Sequence, residues 1–237
     1  MSVKSEIVKN VRAAFEHEPR INLHRYPVLV DFGDGIVTLE GEVATVAAKK
    51  TGLRLAAGMR GVRGIVDRLR VAAAVSMSDG EIRDHVRKSL IQEPALQACT
   101  IRVPVEGQGI TSTEPAPGGL IEIAVNDGVV ILNGQVTSLA HQRLAGVLAW
   151  WVPGSRDVIN GLEVVPPEED NDDEITEAVH FVLEKDRFVN ADHIRVNTKN
   201  AAVTLEGVVA TEEEKKMAES DAWYVLGVDR IINALKV

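Results

Sequence analysis

The side chains able to do acid–base, metal or nucleophilic chemistry in this 237-residue chain are scattered. Six histidines (His17, His24, His85, His141, His180 and His193) stand without the short repeated spacing that ligating residues need to converge on one ion. Cys99 is the single cysteine, which excludes an intramolecular disulfide, and no histidine lies beside it to activate a thiolate. It reads as a small core residue. Gly58, Gly61 and Gly64 recur every third residue, but they precede a predicted strand, whereas a phosphate-cradling glycine loop joins a strand to a helix. No catalytic group, metal or cofactor is expected, and the chain reads as a binding protein and not an enzyme.

Charge narrows the partner. The formal net charge is −9, which disfavours a nucleic-acid partner because phosphate backbones need a basic face. The distribution is uneven: residues 1–75 carry +4, residues 76–166 carry −4 and residues 167–237 carry −9. Any contact with an anionic lipid surface or a partner is therefore expected at the first third, through Lys49, Lys50, Arg54, Arg60 and Arg63, a set that otherwise reads as a solvated helix face. Attraction between the first third of one chain and the last third of another is a further possibility. The acidic run from Glu168 to Glu174 reads as a solvated linker leading into a helix, where negative charge suits the N-terminus. The first ten residues hold Lys4, Glu6 and Lys9 and no apolar core, so they do not read as a secretory signal. The longest apolar run, 145–152, is far short of the roughly 20 residues of a bilayer span. A cytoplasmic chain not integral to a membrane is expected.

The elements that must carry these residues recur three times. Gly35-Ile-Val-Thr-Leu-Glu-Gly41-Glu-Val43 returns as Gly128-Val-Val-Ile-Leu-Asn-Gly134-Gln-Val136, and again as Ala201-Ala-Val-Thr-Leu-Glu-Gly207-Val-Val209. A second motif follows each, beginning at Gly61, Gly154 and Gly227 and ending at Val71, Val164 and Val237. The two glycines are 20 residues apart in every copy. Repetition at fixed spacing is the signature of repeated modules, here 1–75, 76–166 and 167–237.

Each copy opens with apolar residues at i, i+4 and i+8, a helical stripe: Ile7, Val11, Phe15; Ile82, Val86, Leu90; Ile175, Val179, Leu183. Two strands follow, joined at Asp34-Gly35, Asp127-Gly128 and Asn200-Ala201, which suit tight hairpin turns. Thr45, Ser138 and Thr211 then predict the N-caps of a second helix, with Glu214 completing a capping box. A period-two strand closes each copy. The order is α-β-β-α-β. Small residues on the second helix (Gly52 and Ala56, Ala145 and Ala149, Ala218 and Ala222) predict that it settles directly on Gly41, Gly134 and Gly207. Asp67, Asn160 and Asn233 share the apolar parity of the last strand and read as side chains bonded to nearby backbone. The middle copy carries about 20 extra residues, placed at the proline- and glycine-rich stretch 104–119, a predicted surface loop. Trp150, Trp151, Trp223 and Tyr224 sit just before the second glycine in the later two copies, where paired aromatics suit a core cap, an inter-module contact or a membrane interface.

Together the two motifs resemble the BON domain, named for bacterial osmotically inducible and nodulation proteins. The resemblance covers nearly the whole chain, three times over. It implies an α+β fold with two helices on a three-stranded mixed sheet in each module. It also implies a non-enzymatic role in osmotic or other stress, in contact with phospholipid or an envelope protein partner. Some relatives are linked to potassium binding, and a small-ligand sensor or a protein scaffold are the alternatives it leaves open. Gly61-Val-Arg-Gly64 is also similar to the GXXG loop of KH domains, but the equivalent segments at Gly154 and Gly227 lack the second glycine.

Overall fold

The computed structural model describes residues 3–104 and 116–237. The chain divides into two compact units, residues 1–72 and 73–237. The first holds one α-β-β-α-β module and the second holds two. All are α+β.

In the first unit, α1 (Val3–Glu16) precedes β1 (Val28–Gly33), β2 (Ile36–Val43), α2 (Val46–Ala57) and β3 (Gly64–Val71). The strand order is β1-β2-β3, with β2 antiparallel to β1 and parallel to β3. The stripe Ile7, Val11 and Phe15 is buried, as are Val37, Leu39 and Val43 on one face of β2, while the opposite face of the sheet is exposed and mixes Glu40 and Arg68 with Leu29, Ile36 and Val66. In the second unit, α3 (Asp79–Gln92), β5 (Gly119–Asn126), β6 (Val129–Val136), α4 (Leu139–Trp150) and β7 (Asp157–Val164) repeat the plan. So do α5 (Asp172–Lys185), β8 (Ile194–Lys199), β9 (Ala202–Val208), α6 (Glu212–Tyr224) and β10 (Arg230–Lys236). The stripes of α3 and α5 are buried throughout. Of the valines that end the three motifs, Val71 is buried and Val164 half-buried, whereas Val237, which follows the end of β10, is 61% exposed.

The hairpins are built as their residues require. Asp34-Gly35, Asp127-Gly128 and Asn200-Ala201 all have φ between 50° and 80°, the left-handed pair of a type I′ turn. In the second unit the turn amides are held from below: Asp79 accepts from the amides of Asp127 and Gly128, and Asp172 from those of Asn200 and Ala201. Lys4 occupies the equivalent place in α1 and pairs with Asp31 at 2.6 Å. There Arg63 grips the turn, donating to the Asp34 carbonyl at 2.8 Å.

The sheet glycines are required for a reason other than the expected one. Gly41 has φ +142°, and a Cβ there would stand 2.5 Å from the Pro27 carbonyl oxygen. Gly134 (φ +119°) and Gly207 (φ +141°) likewise face the Leu120 and His193 carbonyls. The close approach is therefore between neighbouring strands, where the first strand enters the sheet, and not between strand and helix. The second glycine set packs against the first helix instead, with Gly61, Gly154 and Gly227 next to Ile7, Ile82 and Ile175.

Thr45, Ser138 and Thr211 cap the second helices as expected, accepting from Ala48, His141 and Glu214 amides. Glu214 does not close a capping box: its carboxylate accepts from the amides of Ala210 and Asn190. The reciprocal box forms at Ser78 and Glu81, at the start of α3, where hydrogen bonds donated by the Ser78 amide and hydroxyl hold the Glu81 carboxyl below its ordinary value.

The middle module departs from a three-stranded sheet. A short strand, β4 (Thr100–Arg102), pairs in parallel with β5 and makes the order β4-β5-β6-β7. It belongs to the inserted segment, whose predicted loop at 104–119 falls largely on residues outside those described. After a single 3-10 turn at Pro94–Leu96 the chain can reach the sheet edge, and Arg102 fixes it there by an ion pair with Glu122 at 2.5 Å.

Candidate functional site

Two places gather the residues that sequence singled out. The first is the basic surface of the first unit. Lys49 does not reach it. Its side chain is 7% exposed, and Nζ donates to the Leu69 carbonyl at 2.8 Å and pairs with Asp67 at 3.0 Å. Asp67 in turn accepts from the Leu69 amide. The expectation of a surface contact at Lys49 is corrected on this ground, since an ammonium buried beside a carboxylate is consumed in holding α2 to β3. Lys50 is half-buried, while Arg54, Arg60 and Arg63 are exposed. Arg63 is tied to the hairpin, and Gly61 rests on Ile7 of α1, so the 58–63 loop, the hairpin and the start of α1 meet at one end of the module.

The same brace recurs without charge in the other modules. Asn160 donates to the Gln142 carbonyl at 2.7 Å and accepts from the Leu162 amide. Asn233 donates to the Lys215 carbonyl at 3.1 Å and accepts from the Leu235 amide. These side chains tie strand to helix, which accounts for their parity without a ligand.

The second place is the joint between the two modules of the second unit. Trp150 ends α4 and stacks on Tyr224 at the end of α6, with ring centroids 5.9 Å apart and planes 15° from parallel. Trp151 Nε1 donates to Asp221 at 2.9 Å. Trp223 is buried. The four aromatics thus sit at or beside a joint inside the unit, which assigns Trp150, Trp151 and Tyr224 to contact between modules. Module one has Ala57 and Gly58 at the corresponding positions and lacks this surface.

Polar groups inside the joint were not foreseen from sequence. Arg143 is buried in the middle of α4, donates to the Leu226 carbonyl at 3.0 Å and pairs with Asp170 at 2.5 Å. Lys185, at the end of α5, pairs with buried Glu93 at 2.7 Å. Asp221 is enclosed, and burial raises its carboxyl to about 8 against the hydrogen bond from Trp151, with the nearby Asp186 charge adding to the rise. The Tyr224 hydroxyl is also raised, by burial and then by Asp221. One Asp221 oxygen, Arg143 Nη1 and Trp223 Nε1 are buried without a hydrogen-bond partner among the described residues. The signal available in sequence was an arginine within Leu139–Trp150, a helix otherwise nearly all apolar, and an aspartate flanked by small and aromatic residues in α6.

No group of three or more histidine, cysteine, aspartate or glutamate side chains could hold a metal among the described residues. No described helix is long and apolar enough to cross a membrane. Burial raises the Cys99 thiol, which donates to the Gly118 carbonyl.

The repeated module matches the model of the BON domain over residues 4–73, 116–166 and 171–237. The chain belongs to the BON domain family. It is 26% identical over 160 residues to osmotically-inducible protein Y of Escherichia coli (strain K12), covering 67% of this chain and 71% of that protein. Among solved structures it aligns with the C-terminal domain of CdsD, the structural protein of the type III secretion system of Chlamydia trachomatis. That alignment has 12% identity, covers 99% of this chain and 98% of the other, and has a TM-score of 0.24. The first BON module is thus the basic one, and the second and third are acidic and joined to each other.

Proposed function

We propose that this chain is a non-enzymatic binding protein of osmotic stress, whose first BON module contacts an anionic phospholipid surface while the other two form a docked scaffold. The observation that carries the reading is the separation of charge and aromatic surface. The only module with net positive charge presents Arg54, Arg60 and Arg63 to solvent, whereas the aromatic pair that could have served a membrane interface is occupied within the joint. The stress role is drawn from the family and from the relative named osmotically inducible.

Basic residues near an anionic surface contribute about 1 kcal/mol each, attenuated beyond a Debye length of roughly 8 Å at physiological salt. Cosedimentation of the full chain with phosphatidylglycerol–phosphatidylcholine vesicles at low salt is expected to show binding that 0.5 M salt releases. Vesicles of phosphatidylcholine alone should leave it in solution. The R54Q/R60Q variant should bind about tenfold more weakly. Absence of binding to the anionic vesicles at low salt overturns the reading.

A further inference from the structure

The middle module shows what its own sheet edge accepts. β4 lies in parallel on the outer edge of β5, beside α3, with Thr100, Ile101 and Arg102 opposite Leu120, Ile121 and Glu122. In the first unit the equivalent edge, that of β1, has no strand paired to it among the described residues. An open groove of about 680 Å³ runs there between α1 and β1, lined by Lys4, Val8, Lys9, Arg12, Glu16 and Val30 among others. An unpaired edge is a row of backbone donors and acceptors ready for an added strand.

The two grooves differ in charge position by position and not in net sign: Asp31, paired with Lys4, and Glu16 stand in the first, and α3 carries Arg83, Arg87 and Lys88 at the corresponding places of the second. Aligning the buried stripes places Lys4 and Lys9 where α3 has Asp79 and Asp84. Leu29, 64% exposed, stands where β5 has Glu122, the partner of Arg102. Module three also leaves β8 at the edge of its sheet, but α5 presents Glu177 and His180 in place of Lys9 and Arg12.

We propose that the β1 edge and α1 take up an extended acidic segment of a partner protein as an added strand, in the manner of β4. Side chains paired in register share a face of the sheet. An apolar residue at the place of Ile101 would meet Val28, one at the place of Arg102 would meet Leu29, and an acidic residue at the place of Val103 would face Lys9 and Arg12. The acidic groove of module three repels the same segment.

The test uses two synthetic peptides copying residues 98–104, one with C99S alone and one with C99S, R102L and V103E, added to the full chain. The second peptide is expected to bind at least tenfold more tightly than the first and to slow hydrogen exchange of the Val28–Asp31 amides. The K9E/R12E variant, altered at exposed positions of α1, should lose that preference while keeping its melting temperature. Three results each overturn the proposal: no protection of β1 at millimolar peptide, protection confined to β8, or binding indifferent to K9E/R12E.

Discussion

The carboxyl of Asp221 makes the joint between modules two and three sensitive to pH, and the sign follows from burial. Its folded pKa of about 8 lies above the ordinary value of 3.8, so between those values the folded chain holds a proton that the unfolded chain has released. Stability from this group is therefore fully present below about pH 4 and falls as pH rises, until the carboxyl ionises in the fold near pH 8. Each pH unit in that window is worth about 1.4 kcal/mol, so pH 5 to pH 8 removes on the order of 4 kcal/mol. For a unit of 165 residues (73–237) this corresponds to a melting temperature lower by roughly 10 °C. Asp221→Asn keeps an acceptor for Trp151 Nε1 and removes the ionisation. Calorimetric scans of wild type and D221N from pH 5 to pH 9 should give curves that diverge, with the variant the more stable at pH 8. Parallel curves would refute the assignment of Asp221 as a carboxyl kept neutral by the joint, and would mean that water reaches it.

Three other outcomes test the packing. Gly134→Val should cost more than about 3 kcal/mol in urea unfolding, since it sets a branched side chain at φ +119° against the Leu120 carbonyl; wild-type-like unfolding contradicts the strand-entry account. Arg143→Ala should destabilise the second unit by about 1–3 kcal/mol, because the Leu226 carbonyl loses its donor and the buried stem its packing while half-exposed Asp170 is left to water, and the first unit should be unaffected; no measurable change would show that the side chain does not hold the joint. Asp79→Ala should cost about 1–3 kcal/mol by freeing the amides of Asp127 and Gly128, measured as faster exchange of those two amides; unchanged exchange would remove the carboxylate from the turn.

Much of the fold was legible because it repeats. A stripe such as Ile7, Val11 and Phe15 is ambiguous alone, but its return at Ile82 and Ile175 with the same motifs downstream left one element order. The glycine positions were equally plain, yet their cause was not. A missing side chain on the buried face of a strand is explained equally well by a helix above or by a carbonyl alongside, and only φ at Gly41, Gly134 and Gly207 separates the two. The strand β4 was hidden by its length: Thr100, Ile101 and Arg102 are too few to show a period of two, and a proline-rich stretch follows. Lys49 looked like surface because lysine usually is; its burial depends on Asp67, 18 residues away. The aromatics of the joint were identified, but Arg143 and Asp221 were not, because pairing of a buried polar group across two modules leaves no periodic trace in either.

The brace between the second helix and the last strand leaves the three modules with different freedom to change. Asn160 and Asn233 each donate to a main-chain oxygen, which every residue type supplies, so the side chains at 142 and 215 are not what the brace depends on. Asp67 has no proton to offer such an oxygen and depends on the ammonium of one particular neighbour. Positions 49 and 67 are thereby coupled: replacing the lysine leaves the Asp67 carboxylate without its cation, a loss that an amide at 67 would avoid by donating to the helix itself.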